Sequence, residues 1–359
     1  MRYTMPVTVY AETRCVKAHA DALAALGSRA LLVTGRAAAA RCGALRDVTD
    51  ALTAHGRSWV LYDEVEENPS IETVMRARAF GLQEGADFVV GIGGGSPMDA
   101  AKAIAIMMSH READASFLYA PPAPMQGLPL ATVPTTCGTG SEVTPNAVLT
   151  IHARKTKGSS NQRLWPRLAL VDADYLRTAP LPLLRATAFD AFAHLIESGL
   201  NTNATDYSRV FVHEGLRLWG RSRAALLCDG MPPAAARWDL MNAATLAGMA
   251  IAHTGTSLPH ALSYGVTYRL HVPHGRAASY FLPGYLREAE KTARDFLLGL
   301  AGFSDVEAFA QFYLRACGPE QIPEALLREL TEELLGYEAK LRACPFPADR
   351  ACILRICGL

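Results

Sequence analysis

The amino-acid sequence predicts two domains, an α/β domain over residues 1–178 and an all-helical domain over residues 179–359. Two patterns indicate this division. In the first part, short β-branched runs alternate with amphipathic helical stretches, an order typical of a doubly wound, mainly parallel sheet. From Leu181 onward, helical periodicity continues with few strand signals. The chain has 359 residues, 50% of them hydrophobic, which is enough to build two cores.

The strands and helices of the first domain follow one another regularly. The predicted strands are RALLVTG (29–35), SWVLYDEV (58–65), DFVVGIGGGS (87–96, entering a glycine turn) and PLATVPTT (129–136). The predicted helices are PSIETVMRARAFGLQEG (69–85) and SPMDAAKAIAIMMSH (96–110). Pro69 and Ser70 form the start signal of the first of these helices.

The second domain consists of long stretches with helical periodicity. They are LPLLRATAFDAFAHLIESGL (181–200), SRVFVHEGLRLWGRSRAALL (208–227), RWDLMNAATLAGMAIA (237–252), DVEAFAQFYLRACG (305–318) and PEALLRELTEELLGY (323–337). Helices packed on helices are therefore expected here.

Composition excludes several classes of partner. Lys+Arg and Asp+Glu are both 35, so there is no electrostatic reason to expect nucleic acid or an anionic membrane surface. The N-terminal segment lacks the apolar run of a signal peptide, and no stretch approaches the roughly 18–20 apolar residues that span a bilayer. The eight cysteines form no CxxC pair, which is typical of a reduced, cytoplasmic protein. We expect a cytoplasmic protein that binds a small molecule.

Two turns after predicted strands are rich in glycine or hydroxyl groups. The first is Gly93-Gly94-Gly95-Ser96, which precedes a helix, and the second is TTCGTGSE (135–142). Glycines let the backbone approach a pyrophosphate, and a helix N-terminus offers free N–H groups to it. The first turn does not match G-x-G-x-x-G, and a glycine-rich turn by itself could be a tight connection only. Together they predict a phosphate-bearing cofactor across one sheet edge.

Four residues could ligate a metal. Asp190 and His194 lie four residues apart in a predicted helix and therefore on one face. His260 lies on or near another helix, and His274 lies in the turn VPHGR (272–276). One carboxylate and three imidazoles can bind a divalent transition metal and leave a position open. The spacing alone leaves open that these histidines are ordinary core or surface residues.

Taken in order, four segments resemble the iron-containing (group III) alcohol dehydrogenase family. They are GGGSPMDAAK (93–102, with Asp99 and Lys102), PTTCGTGSEVT (134–144), DAFAHLIES (190–198) and HALSYGVTYRLHVPHG (260–275). The resemblance implies a dehydroquinate synthase-like architecture, in which a dinucleotide-binding domain precedes the helical domain. It also implies hydride transfer between NAD(P)H and a small aldehyde or primary alcohol, with the metal acting as a Lewis acid.

The resemblance also implies the roles of individual residues. The metal ligands would be Asp190, His194, His260 and His274, and the metal Fe²⁺ or another divalent ion such as Zn²⁺. The implied cofactor-binding residues are Gly93, Gly94, Gly95, Ser96, Asp99, Thr135, Thr136, Thr139 and Lys157. Of these, Lys157 would reach a ribose hydroxyl. A homodimer is compatible with such a fold.

The chain departs from the family pattern at Tyr264, where the family carries a histidine in an H-x-x-x-H pattern near the nicotinamide. We assign Tyr264 as the catalytic candidate that alters proton delivery or pocket shape, with simple space filling as the alternative. A tyrosine has a reference pKa of ~10, against ~6.5 for histidine. The stretch TSLPHALSYGVTY (256–268) resembles small-aldehyde reductases, including phosphonoacetaldehyde reductase-like members.

A second departure concerns the cofactor. The first predicted strand ends Thr34-Gly35-Arg36, without the acidic residue that NAD-preferring members often carry there. A missing carboxylate removes repulsion of a 2′-phosphate, and Arg36 could pair with it. Gly35 and Arg36 therefore favour NADP(H) over NAD(H), although Arg36 could equally be a solvated surface charge.

Two other functions remain as alternatives. A dehydroquinate synthase-like lyase also uses NAD and a metal, but the pair Asp190 and His194 fits the dehydrogenase pattern better. A non-catalytic nucleotide-binding protein would bind cofactor without metal or turnover, and the intact set of ligand residues argues against it.

Overall fold

The computed structural model of the protein describes residues 3–124, 126–154 and 156–359. The chain forms two compact units. One contains Thr4–Thr136 and Gly140–Ala179, and the other contains Cys137–Thr139 and Pro180–Leu359 together with Tyr3. We call them the α/β unit and the helical unit. The domain limits at 178 and 179 stay a prediction from the sequence.

The α/β unit contains a parallel sheet. The strands of the unit are β1 (Thr8–Ala11), β2 (Arg29–Thr34), β3 (Ser58–Tyr62), β4 (Phe88–Gly93), β5 (Leu130–Pro134), β6 (Val148–Ile151), β7 (Thr156–Ser159) and β8 (Leu168–Val171). Strands β6 and β7 form an antiparallel pair outside the parallel sheet. The sheet has the order β1-β8-β5-β4-β2-β3, and every neighbouring pair is parallel. The predicted mainly parallel sheet is therefore confirmed, while β1, β8 and the pair β6–β7 were not expected from the pattern.

Helices cover both faces of this sheet. They are α1 (Cys15–Ala18), α2 (Ala20–Ala24), α3 (Ala38–Cys42), α4 (Ala44–Ala54), α5 (Ile71–Gln83) and α6 (Gly95–Ser109). Successive side chains of β2 point to opposite faces: Ala30 and Leu32 pack with α1–α4, whereas Leu31 and Val33 pack with α5 and α6. Because the inner strands β2, β4 and β5 are buried on both faces, they read as continuous apolar runs.

The start of α5 follows its predicted signal. The Ser70 hydroxyl oxygen accepts a hydrogen bond from the backbone N–H of Thr73 and thereby caps the helix. Glu66 accepts from both the N–H and the hydroxyl of Ser70, at 2.8 and 2.7 Å. These bonds hold the segment between β3 and α5 in place at the end of the sheet.

The helical unit contains no strand among its described residues. Its helices are α7 (Leu181–Leu200), α8 (Asp206–Ser222), α9 (Ala234–Thr254), α10 (Leu258–Leu270), α11 (His274–Glu288), α12 (Lys291–Leu300), α13 (Val306–Cys317), α14 (Glu324–Leu335), α15 (Glu338–Ala343) and α16 (Arg350–Cys357). The five predicted helical stretches are confirmed, except that residues 223–227 form a 3₁₀ turn after α8. None of the helices in the described ranges combines the length and apolar character that crossing a membrane requires.

Aromatic packing fixes α7 within the helical unit. Phe189 contacts Trp219 edge to face with ring centroids 5.5 Å apart, and Phe192 stacks on Phe309 at 4.8 Å. The indole N–H of Trp219 donates to the carbonyl of Ala188 at 2.7 Å. Such aromatic pairs contribute roughly 0.5–1.5 kcal/mol each beyond the burial of their area. One side of α7 is thus held rigidly, which positions the polar residues of its other side.

Candidate active site

Three polar side chains lie along one face of α7. Asp190, His194 and Glu197 are separated by four and then three residues, the spacing that places side chains on the same side of a helix. All three are buried, with 2%, 6% and 0% of their surface exposed. Polar groups buried in an otherwise apolar helix require partners, so this face is a candidate for a specific site.

Two further helices bring His260 and His274 to this face. His260 lies in the first turn of α10, after the N-cap Ser257. The sequence indicated a turn at His274, but the structure makes it the first residue of α11, directly after Pro273. The backbones of α11 and α7 approach closely here, because a Cβ on Gly275 would lie 2.0 Å from the carbonyl oxygen of Ala186. Glycine in the segment PHG therefore allows the approach of His274.

Ligand atoms of three of the predicted metal residues converge. The Nε2 atoms of His260 and His274 lie 3.5 and 3.9 Å from Oδ1 of Asp190. One ligand atom from each of these three residues lies within 4.8 Å of the others. Oδ1 of Asp190 and Nε2 of His260 are buried and have no hydrogen-bond partner in the described part of the chain. A carboxylate oxygen and imidazole nitrogens left without partners fit a divalent transition metal.

The fourth predicted ligand, His194, lies beside this group but is not one of the three whose atoms converge. Its ring stacks on that of His260, with centroids 4.2 Å apart and an interplanar angle of 19°. Its Nδ1 atom is buried without a hydrogen-bond partner among the described residues. We call the predicted ligands Asp190, His260 and His274 the metal cluster. His194 borders it, and its ligation stays a prediction.

The electrostatics of the cluster favour a bound cation. Burial alone would raise the pKa of Asp190, but the three imidazoles around it outweigh burial and hold the pKa well below its ordinary value. Burial, reinforced by His260, lowers the pKa of His194 to about 4. For His260, burial acts downward, but Glu197 and Asp190 raise the pKa to about 9. An ionised carboxylate and a neutral His194 are the forms that ligate metals, and a cation would displace a proton from His260.

Sequence reasoning missed Glu197, which is hydrogen-bonded to Nδ1 of His260, the ring nitrogen that does not face Asp190. Its Oε1 atom is hydrogen-bonded to Nδ1 of His260, and its Oε2 atom accepts from the backbone N–H of Ser257. A carboxylate three residues after His194 and seven after Asp190, within an apolar helix, is the signal that could have found it.

In the α/β unit, the glycine turn joins β4 to α6. Gly93 ends β4 with φ 148°, and a Cβ there would lie 2.7 Å from Cγ of Pro97. Gly94 is the N-cap of α6. A Cβ added to Gly94 would lie 3.2 Å from the side chain of Thr136, so the two residues are close together. The turn thus leaves the N–H groups of the first turn of α6 at the end of a parallel strand, as anion binding requires.

The segments around this turn are tied to it. The hydroxyl of Ser96 accepts from the backbone N–H of Asn68 at 3.0 Å, and Lys157 donates through Nζ to the side-chain oxygen of Asn68. The N–H of Thr135 donates to the carbonyl of Gly93 at 2.9 Å. The structure therefore brings Ser96 and Lys157 together through Asn68. Sequence reasoning missed this residue; its signal is an Asn-Pro pair after a strand.

Asp99 and Lys102 organise the threonine-rich loop. Asp99 accepts from the hydroxyl of Ser141 at 2.5 Å and from the N–H of Val148 at 2.9 Å. Lys102 is fully buried and donates to Ser141 at 2.6 Å and to the carbonyl of Asn146 at 2.8 Å. Both carboxylate oxygens of Asp99 thus have partners within the chain, which indicates that this residue shapes the cofactor turn. Contact of Asp99 with the cofactor stays a prediction.

The remaining member of that loop, Thr139, falls in the helical unit together with Cys137 and Gly138. A Cβ on Gly138 would lie 2.8 Å from the carbonyl oxygen of Thr187, so this stretch runs close against α7. The thiol of Cys137 is hydrogen-bonded to the hydroxyl of Thr187 at 3.6 Å. The sequence of this loop does not predict that Cys137–Thr139 belong to a different compact unit from the residues on either side.

Comparison with known proteins decides the family. Residues 6–173 match the description iron-containing alcohol dehydrogenase, and residues 185–312 match the Fe-containing alcohol dehydrogenase family, C-terminal. The chain belongs to the iron-containing alcohol dehydrogenase family. Membership makes it an alcohol or aldehyde oxidoreductase and implies a metal and an NAD-type cofactor.

Relatives agree over almost the whole chain. It is 31% identical to long-chain-alcohol dehydrogenase 1 of Geobacillus thermodenitrificans, over 92% of this chain and 89% of that protein. It is also 31% identical to sulfoacetaldehyde reductase of Bilophila wadsworthia, over 90% and 85%. The crystal structure of an iron-containing alcohol dehydrogenase from Thermotoga maritima matches with a TM-score of 0.89 and 31% identity, covering 99% of this chain and 98% of that one.

Within this iron-containing alcohol dehydrogenase, Tyr264 lies against a predicted ligand. It follows His260 by one turn of α10 and is half-buried. Its ring stacks on that of His274, with centroids 5.6 Å apart and an interplanar angle of 13°. Tyr264 therefore borders the metal cluster, and its catalytic role stays a prediction.

Gly35 and Arg36, which the sequence predicts to influence cofactor choice, lie at the end of β2. Gly35 follows the strand and approaches the carbonyl of Val65, from which an added Cβ would be 3.2 Å. Arg36 is exposed between β2 and α3. Its side chain is thus accessible to a ligand at this edge of the sheet.

Proposed function

We propose that the protein is a metal-dependent aldehyde reductase that transfers hydride from NADPH to a small aldehyde, and in reverse oxidises a primary alcohol. The observation that carries the proposal is the convergence of Asp190, His260 and His274, where two buried ligand atoms lack a hydrogen-bond partner in the described ranges. With His194 beside them, these residues would hold Fe²⁺ or another divalent ion such as Zn²⁺.

The side chains divide the chemistry among them. A divalent metal at this site supplies Lewis acidity toward the oxygen of the aldehyde or alcohol. Asp190 supplies negative charge in a dry environment, and Glu197 fixes the imidazole of His260. The ring of Tyr264 stacks on that of His274, and its hydroxyl would pass a proton to or from the substrate oxygen. A bound reduced nicotinamide would supply the hydride chemistry.

Cofactor binding is assigned to the α/β unit. The N-terminus of α6, with Gly94, Gly95 and Ser96, would bind the pyrophosphate, since its free N–H groups and dipole favour an anion. Lys157, held next to Asn68, would contact a ribose. The exposed guanidinium of Arg36 supports NADP(H) over NAD(H), because it can pair with a 2′-phosphate.

The substrate would be a short aldehyde, with an anionic one such as phosphonoacetaldehyde among those to test. Two observations support this class. The segment TSLPHALSYGVTY resembles small-aldehyde reductases, and one relative at 31% identity is named sulfoacetaldehyde reductase.

The test is a cofactor assay on protein stripped of metal and reloaded with Fe²⁺ without oxygen. NADPH and NADH are offered separately with a panel of short aldehydes that includes phosphonoacetaldehyde. We expect oxidation of NADPH only in the reloaded protein, and none in an Asp190→Asn variant treated identically. A dehydroquinate synthase-like lyase would show no net oxidation of cofactor, and a nucleotide-binding protein would bind cofactor without any turnover. Folded, metal-loaded protein that leaves both cofactors unchanged with every aldehyde would contradict the proposal.

A further inference from the structure

Glu197 is the most deeply buried acidic residue next to the metal cluster. None of its surface is exposed, and its Oε1 atom faces Nδ1 of His260. A hydrogen bond from Nδ1–H to a carboxylate leaves Nε2 as the nitrogen for a metal. That nitrogen is the atom that points toward Oδ1 of Asp190.

The same carboxylate also fixes the backbone that carries His260. Its Oε2 atom accepts from the N–H of Ser257, the N-cap of α10. Helix α10 has no side-chain cap hydrogen bond and no acidic residue in its first turn. A negative charge at a helix N-terminus is stabilising, and here α7 supplies it. One side chain therefore sets both the orientation of the imidazole and the position of its helix.

A third element, α15, contacts the loop before α10. Lys340 on α15 donates through Nζ to the backbone carbonyl of Thr256 at 3.1 Å and to the hydroxyl of the same residue. Thr256 directly precedes Ser257, so the loop before α10 is held by a cation from α15 and by an anion from α7. The position of His260 is thus determined at two points outside its own helix.

We propose that Glu197 is a positioning residue of the metal centre, which orients His260 through Nδ1 and anchors the start of α10, so that metal affinity depends on its carboxylate. The inference rests on the proposed function, since it requires a metal at Asp190, His260 and His274. Its alternative is a structural cap that stabilises α10 without influence on metal binding.

Glu197→Gln is the direct test. Glutamine has the same size, but its amide nitrogen is a donor and would replace one of the two oxygens that face Nδ1 of His260 and the N–H of Ser257. Loss of such an outer partner typically lowers metal affinity about 10–100-fold. The full chain is stripped of metal, and Zn²⁺ is titrated in competition with a fluorescent chelator of known affinity. We expect a fall in Zn²⁺ affinity of that size and a higher Fe²⁺ concentration for half-maximal activity, with turnover recovering at saturating metal.

Asp239→Asn is the matched control. Asp239 on α9 is also a buried carboxylate, and it accepts from Arg221 at 2.8 and 2.6 Å and from Ser222 at 3.0 Å. Its replacement weakens the ion pair with the largely exposed Arg221 and lowers stability, but the bonds of the metal cluster remain. We expect unchanged Zn²⁺ affinity in this variant, which separates positioning from general loss of stability.

Glu197→Asp covers the case in which the glutamine variant does not fold. It keeps the charge but is one methylene shorter, so it reaches His260 or Ser257 but not both, and Zn²⁺ affinity should again fall. Wild-type Zn²⁺ affinity in a folded Glu197 variant would overturn the positioning role and leave the proposed function intact. A wild-type protein that binds neither Zn²⁺ nor Fe²⁺ would overturn the proposed function, and the inference with it.

Discussion

Replacing Gly275 by alanine tests how closely α11 must approach α7. The new Cβ would lie 2.0 Å from the carbonyl oxygen of Ala186, whereas real Cβ contacts essentially never fall below 3.0 Å. Helix α11 must therefore move by roughly 1 Å, and overpacking of this kind costs about 1–3 kcal/mol of unfolding free energy. His274, the neighbouring residue, moves with the helix. Because ligand distances tolerate only about 0.2 Å, we expect Zn²⁺ affinity to fall together with stability.

Two other glycines separate these effects. Gly284 lies in the same helix, and its Cβ would lie 2.3 Å from the carbonyl oxygen of Ile356, away from the metal cluster. Gly299 in α12 has nothing within 4 Å of an added Cβ. Urea unfolding of metal-free protein should show a loss for Gly275→Ala and Gly284→Ala, and a gain of up to about 1 kcal/mol for Gly299→Ala. Chelator competition should show weaker Zn²⁺ binding for Gly275→Ala alone. Equal Zn²⁺ affinity in all three variants would refute the reasoning.

Four further variants test the remaining assignments. Asp190→Asn removes the central negative charge, so Zn²⁺ affinity should fall by more than the ~10–100-fold expected of an outer partner; chelator competition measures this, and a smaller loss would argue against direct ligation. Tyr264→Phe keeps the ring that stacks on His274 but removes the hydroxyl, so turnover should fall about 10²-fold or more; unchanged turnover and pH–rate profile would leave space filling as its role. Arg36→Ala should reduce the ratio of kcat/KM for NADPH to kcat/KM for NADH by about tenfold or more, because it removes a hydrogen bond to a charged group. An unchanged ratio would show that Arg36 is a solvated surface charge without a role in cofactor choice. Burial, partly offset by Glu197, lowers the pKa of Lys340 to about 8 from 10.5. Between pH 8 and 10.5 the unfolded chain therefore binds more protons than the folded chain, and the unfolding free energy of the wild type should rise with pH relative to that of Lys340→Met. Parallel curves of unfolding free energy against pH for the two proteins would contradict this.

Strand and helix prediction succeeded where the signal is local. The strands β2, β4 and β5 are continuous apolar runs because both of their faces are buried. The short strands β1 and β8 have four residues each, too few for a pattern to stand out. The antiparallel pair β6–β7 lies outside the main sheet and follows no strand–helix alternation.

Only part of the metal cluster and its surroundings could be predicted from the sequence. Asp190 and His194 could be paired from their spacing on one helix, which is a local property. The spacing of Glu197 was equally local, but its meaning depends on a histidine 63 residues away. In the same way, the role of Asn68 depends on Lys157, which lies 89 residues further along the chain.

By itself, the sequence determined the α/β and helical character of the two parts, the glycine turn after β4 and the identities of the residues that could ligate a metal. These follow from periodicity and from residue chemistry, which act over a few residues. Only the tertiary structure decided that Nε2 of His260 and of His274 face the same oxygen of Asp190, and that Glu197 holds His260 from behind. Those contacts depend on how α7, α10 and α11 pack, and packing is set by close approaches such as that at Gly275, which no local pattern reveals.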